Sequence, residues 1–158
     1  MSEYLKIIKY VTVSHILISF INFLLLMIEL FLADTPVTEH FPGEPDIDML
    51  IWILTAISAV FTVSAYTYVG IKAPRHSNTL FNVLTVLLPA VFTYAGCVIM
   101  EFGSPWILEI AAMFLDSLLG IFIFMLNDTA VKYLIAAVPS VLMFIGYIAG
   151  RRKGSAIK

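Results

Sequence analysis

Long apolar runs separated by short polar segments dominate the sequence. Five runs stand out, at 10–32, 50–70, 80–100, 107–126 and 131–149. Each is close to the ~20 residues with which an α-helix crosses a ~30 Å hydrocarbon layer. Because backbone groups inside lipid must satisfy one another, runs of this length predict helices. They lack the short alternating pattern of barrel strands. The pattern therefore predicts an all-α polytopic transmembrane helix bundle.

Helix-breaking and capping residues lie between the runs. The longest loop, 33–49, contains the pair Pro42-Gly43. Either Ser77 or Asn78 is placed to cap the third helix, since both side chains accept hydrogen bonds from a first helical turn. Pro89 lies inside that helix, where it is expected to cause a kink and free a carbonyl. We interpret the whole chain, 1–158, as one transmembrane domain.

Composition supports a membrane environment and excludes some partners. Apolar residues make up 61% of the chain and charged residues 13%, whereas soluble domains contain roughly 45–50% and about 25%. The formal net charge of −2 gives no basic surface for nucleic acid. A single cysteine, Cys97, leaves no partner for a disulfide within the chain.

The distribution of basic residues predicts an orientation. The loop between the first two runs has no Lys or Arg and five acids. Cytoplasmic loops collect Lys and Arg, so this acidic 34–48 loop is predicted outside and the N-terminus in the cytoplasm, with the cell membrane as the expected location. The acids of this loop are Asp34, Glu39, Glu44, Asp46 and Asp48.

The last apolar run leaves two topologies open. Five crossings would put Arg151, Arg152, Lys153 and Lys158 outside, against the charge rule. Four crossings followed by a re-entrant or interfacial last segment would keep all nine basic residues inside, and the helix-interrupting residues of this run fit such a segment. These are Pro139, Gly146 and Gly150. Because 131–149 is as long and apolar as the other runs, five spans are the prediction.

Polar side chains within the runs form helical stripes. His15, Ser19, Asn22 and Glu29 are 4, 3 and 7 residues apart, so they share one face of the first helix. The second helix repeats this arrangement with three hydroxyl residues, and the fourth run carries Glu109 and Asp116. The hydroxyl residues are Thr55, Ser58 and Thr62. By position in their runs, Asn22, Thr62 and Asp116 fall near the midplane, Glu29 and Glu109 nearer the outside, and His15 and Asn82 nearer the inside.

These stripes have a functional and a structural interpretation. An ionised carboxylate at the bilayer centre costs from a few to more than ten kcal/mol, so Asp116 must pair, meet water or stay protonated. The functional interpretation is a polar site for a cation or proton, lined by Asp116, Glu109, Glu29, Asn22 and His15. The structural one is interhelical hydrogen bonding, worth ~0.6 kcal/mol per contact. For the three hydroxyl residues of the second helix, the structural interpretation is preferred.

No motif indicates an enzyme. The sequence has no H-E-x-x-H, no G-x-S-x-G and no phosphate-binding P-loop, and it implies no cofactor. A metal site formed by Glu29, His40 and Glu109 stays open, because no ligand spacing is diagnostic.

The function predicted is a small transport or accessory membrane component, embedded in the lipid bilayer as a homo-oligomer or beside a larger partner. The alternative is a non-transporting interaction protein, such as an immunity or assembly factor. Tyrosines near the ends of the runs, Tyr68 and Tyr147 among them, are expected at headgroup level.

Overall fold

The computed structural model describes residues 3–33, 47–101 and 134–155. They form four long helices, α1 (Glu3–Ala33), α2 (Ile47–Lys72), α3 (Thr79–Glu101) and α4 (Val138–Ser155). A short helical stretch at 134–136 and a turn at 137 lead into α4. The described residues contain no strand, so the all-α prediction is confirmed for them. The fourth predicted run, 107–126, lies outside the described residues, as does nearly all of the acidic loop.

Three of these helices are long and apolar enough to cross a membrane. The candidate spans are Glu3–Glu29, Met49–Lys72 and Thr79–Ile99, and a shorter apolar helix covers Leu134–Gly150. α1 begins seven residues before the first apolar run. Its additional turns contain Lys6 and Lys9, both exposed, and Glu3 lies in the first turn, where a carboxylate is favourable beside the positive end of the helix dipole.

Side-chain pairs fix the relative directions of the first three helices. Asn22 lies opposite Thr62 while Glu29 lies opposite Thr55, so α1 and α2 are antiparallel. α1 and α3 are parallel, since Tyr4 contacts Phe81 with ring centroids 4.6 Å apart and His15 contacts Phe92 at 5.3 Å. The beginnings of α1 and α3 therefore share one end of the bundle with the last turn of α2.

α4 runs parallel to α2 and antiparallel to α3. Gly146 packs on Thr67 and Gly150 on Ile71, so both helices advance in the same direction. On α3, Ser140 meets Ala90, and Ala136 shares a small apolar cluster with Cys97. α4 thus ends beside the end of α2. Five alternating crossings would instead make α4 antiparallel to α2, so the observed direction departs from that expectation.

Glycines allow the backbones of α2 and α4 to come unusually close. A Cβ added at Gly70 would overlap the carbonyl oxygen of Met143, and one at Gly146 would overlap that of Thr67. Small residues are the usual means by which membrane helices pack closely. The glycines of the last run, interpreted from sequence as interruptions, lie within a continuous helix and form its contact face.

Pro89 is accommodated by the neighbouring helix. α3 remains helical on both sides of this proline, and the Ala90 N–H donates a hydrogen bond to Ser140 Oγ at 2.9 Å. Thr93 donates its hydroxyl to the Pro89 carbonyl at 2.9 Å. α4 therefore supplies an acceptor at the point where proline disturbs the backbone ladder.

The described helices bury both apolar and polar side chains and expose many large apolar ones. Apolar side chains such as Phe31, Val60 and Leu80 are 76%, 67% and 67% exposed, while the interior combines an apolar cluster with many hydrogen-bonding residues. Those buried residues are His15, Ser19, Asn22, Glu29, Thr55, Ser58, Thr62, Asn82, Thr85, Thr93 and Ser140. Large exposed apolar surfaces are unusual for a protein in water, and three of the described helices are long and apolar enough to cross a membrane.

Candidate functional site

The candidate site is a line of polar side chains buried between α1 and α2. We call it the α1–α2 polar seam; its members are His15, Ser19, Asn22, Glu29, Thr55, Ser58, Thr62 and Tyr66. All four α1 members are buried, as the 4, 3 and 7 spacing predicts for one helix face. The stripe on α2 meets the stripe on α1 through interhelical hydrogen bonds.

Asn22 occupies the middle of the seam. Its amide nitrogen donates to Thr62 Oγ1 at 2.8 Å, and its carbonyl oxygen accepts a hydrogen bond from Ser58 Oγ at 3.0 Å. Asn22 thus uses both halves of its amide to bind α2. Such pairing satisfies polar groups that would otherwise be costly to bury, and it fixes the register of α1 on α2.

Glu29 lies seven residues beyond Asn22, about two helical turns nearer the acidic-loop end. Its side chain is buried, and its carboxyl oxygen accepts a hydrogen bond from Thr55 Oγ1 at 3.3 Å. Thr55 also donates to the Ile51 carbonyl of its own helix at 3.0 Å. The Thr55 hydroxyl is therefore shared between the backbone of α2 and the carboxyl group of α1.

His15 forms the opposite end of the seam. Its Nδ1 lies 2.7 Å from the Tyr66 hydroxyl, and its ring is 5.3 Å from that of Phe92 on α3. One turn away, Ser19 donates to the His15 backbone carbonyl at 2.9 Å. Tyr66 is fully buried. It was not among the predicted site residues, although it continues the stripe of Thr62 at a spacing of four.

The order of groups limits the chemistry of the seam. The outermost α1 members, His15 and Glu29, are 14 positions apart, which corresponds to about 21 Å of helix. The titratable groups, Glu29 and His15, lie at the two ends, and the Asn22 amide lies between them. A carboxylate or an imidazole gains and loses protons, whereas an amide only donates and accepts hydrogen bonds. The seam thus contains two separate titratable positions.

The remaining predicted site residues, Glu109 and Asp116, lie outside the described residues, as does His40. Among residues 3–33, 47–101 and 134–155, no group of three or more His, Cys, Asp or Glu side chains is arranged to hold a metal ion. Cys97 is buried against Ala136, and His76 lies at the other end of the bundle beside Glu3, at 4.0 Å.

The loop between α2 and α3 is held by two asparagines. Asn78 caps α3, its side-chain oxygen accepting a hydrogen bond from the Phe81 N–H at 3.2 Å, as predicted for this position. Asn82, expected at the level of His15, instead binds the backbone of His76, donating to its carbonyl at 2.7 Å and accepting from its N–H at 2.9 Å. Asn82 therefore serves the loop and is not part of the seam.

Comparisons with known proteins give no relative for this chain: no protein-family model, no curated protein and no solved structure matches it.

Proposed function

We propose that the chain is an integral membrane protein whose α1–α2 polar seam handles a proton or a cation, as a small transport or accessory component. The observation that carries the proposal is the Glu29 carboxyl, buried between two membrane-length helices against the Thr55 hydroxyl. We further propose that the acidic 34–48 loop is outside. The start of α1, at Glu3, and the end of α4, at Ser155, are then both cytoplasmic.

Charge supports this orientation. Seven of the nine basic residues belong to the described part of the chain, and all seven lie at the end where α2 and α4 finish. They are Lys6, Lys9, Lys72, Arg75, Arg151, Arg152 and Lys153. Basic residues collect on the cytoplasmic side. The parallel direction of α2 and α4 removes the charge conflict of the five-span prediction and favours an even number of crossings.

A buried carboxyl in this position needs compensation. The apolar runs of α1 and α2, at 10–32 and 50–70, contain no Lys or Arg, so neither supplies a permanent counter-charge to Glu29. A carboxylate in hydrocarbon is costly unless it is paired or neutral. A bound proton or a small cation provides that neutralisation, and the Thr55 hydroxyl can hydrogen-bond the carboxyl in either form.

The separation of the two titratable ends shapes the mechanism. Glu29 exchanges its proton or cation from the side of the acidic loop, and His15 with Tyr66 forms the second position. Because the Asn22 amide separates them, transfer between the two needs water or a rearrangement of α1 on α2. Glu109 and Asp116 stay predicted members of the same site.

Reconstitution tests the role of Glu29. Purified protein in liposomes, with a pH-sensitive dye inside and an imposed potential, should give proton flux that Glu29→Gln abolishes, because the amide retains size and hydrogen bonding but does not titrate. Glu3→Gln is the matched control, since the Glu3 side chain is 80% exposed; it should retain wild-type flux. Equal flux in wild type and Glu29→Gln would refute the role of Glu29, and no proton flux in the wild type would refute proton transport.

The second candidate is a non-transporting interaction protein. It is favoured by Asn22, whose amide is bound on both sides within the bundle and so serves helix packing. A chain with few helices then acts by presenting its apolar faces to another copy or to a larger membrane protein. Purification in mild detergent after crosslinking distinguishes the candidates: a stoichiometric foreign partner with no flux in liposomes favours the interaction protein.

A further inference from the structure

Positive charge is concentrated where α2 and α4 end side by side. Lys72 is in the last turn of α2 and Arg75 follows in the loop, while Arg151, Arg152 and Lys153 follow Gly150 in the last turns of α4. Gly150 packs directly on Ile71 and on the Arg75 side chain. We call these five cations the α2–α4 basic end.

Aromatic rings hold the two cations whose side chains are described. The Lys72 ammonium lies 5.9 Å from the centre of the Tyr68 ring. The Arg75 guanidinium lies 5.0 Å from the Tyr147 ring and donates one hydrogen bond to the Tyr147 carbonyl at 3.2 Å. Both cations remain exposed. Since a guanidinium has five N–H donors, this contact orients Arg75 and still leaves donors for a ligand.

Carboxylates within the bundle do not neutralise these cations. In the part of the chain that the structure describes, neither Lys72 nor Arg75 forms an ion pair, and the acid at this end, Glu3, lies beside His76. The last turns of two helices also present backbone carbonyls, which favour cations at these positions. Lys72 and Arg75 are therefore oriented by their tyrosines, exposed and complementary to an anion.

We propose that the α2–α4 basic end binds the phosphate-bearing headgroup of an anionic phospholipid in the cytoplasmic leaflet. Arg and Lys are the side chains suited to phosphate, and clusters of four or more beside a membrane helix attract anionic lipid. Tyr68 and Tyr147 are of the residue type that lies at headgroup level, which places the two cations they hold at the depth of lipid phosphates. The proposal needs the membrane location but no transport through Glu29.

Native mass spectrometry of the full chain in detergent, titrated with phosphatidylglycerol or phosphatidylcholine, measures this preference. Wild type should retain phosphatidylglycerol more tightly. Each cation near an anionic surface corresponds to about a five-fold change in affinity, so Lys72→Gln with Arg75→Gln should weaken phosphatidylglycerol binding ~25-fold and leave phosphatidylcholine binding unchanged. The matched control, Lys6→Gln with Lys9→Gln, removes the same charge from α1 at the same end and should change binding less than about two-fold.

Several outcomes would overturn the proposal. Equal loss in both double variants would indicate diffuse charge attraction, and equal binding of the two lipids by wild type would exclude the site. Displacement of phosphatidylglycerol by inorganic phosphate at matched concentration would indicate a site for free phosphate. If Arg75→Gln misfolds because the Tyr147 contact is lost, Lys72→Gln alone carries the test, with a five-fold loss expected and no loss contradicting the proposal.

Discussion

Replacing Asn22 should weaken the packing of α1 against α2 and lower the free energy of unfolding by a measurable amount. Its amide forms two interhelical hydrogen bonds, to Thr62 at 2.8 Å and from Ser58 at 3.0 Å. Hydrogen bonds between membrane helices contribute about 0.6 kcal/mol on average and ~1.7 kcal/mol at most. Asn22→Ala should therefore lower the free energy of unfolding by about 1.2 kcal/mol from these two bonds, in addition to the loss of side-chain packing.

A double-mutant cycle isolates the hydrogen bond from the packing. Asn22→Ala is combined with Thr62→Val, which retains shape and removes the hydroxyl, and unfolding is measured in SDS-containing mixed micelles. The coupling energy should be about 0.6 kcal/mol. Thr85→Val is the matched control, since Thr85 donates its hydroxyl to the Phe81 carbonyl within α3 at 2.8 Å, and its cycle with Asn22→Ala should give no coupling. If the coupling energy of Asn22 with Thr62 is as small as that of Asn22 with Thr85, the seam geometry is refuted.

The other predictions concern packing and Asp116. Gly146→Ala should lower the free energy of unfolding by about 1–3 kcal/mol because the new methyl overlaps the Thr67 carbonyl. Ser64→Ala, at an exposed position of α2, should be neutral, and equal effects would contradict the close contact. Ser140→Ala should cost about 1–3 kcal/mol by removing the acceptor of the Ala90 N–H, and an unchanged unfolding midpoint would contradict that role. Asp116→Asn should fold and express normally yet lose proton flux, and full flux in a working assay would end the proton-relay interpretation of Asp116.

Periodicity predicted the buried face of α1 but not the residues that meet it. A helix in lipid turns its few polar residues inward, so the spacing of His15, Asn22 and Glu29 identified a shared buried face. Tyr66 was not predicted, although it continues the stripe of Thr62 at a spacing of four. Only the position of α1 opposite α2 shows that its hydroxyl meets His15.

The direction of α4 depended on contacts that sequence alone does not reveal. Gly146 and Gly150 break a helix in one context and allow close helix packing in another. Their function follows from the backbone of α2, which approaches at Thr67 and Ile71. Counting apolar runs assumes that each run crosses once, and five such crossings predict an antiparallel pair where α2 and α4 are parallel.

Cysteine accessibility scanning tests the central claim, which is that the chain forms a membrane bundle with the ends of α2 and α4 together on the cytoplasmic side. In a Cys97→Ala background, single cysteines replace His40, Ser77 and Ser155, and intact cells are treated with an impermeant maleimide. Labelling is expected at position 40 alone, with positions 77 and 155 labelled only after permeabilisation. Labelling of position 155 in intact cells, with position 77 protected, would contradict it.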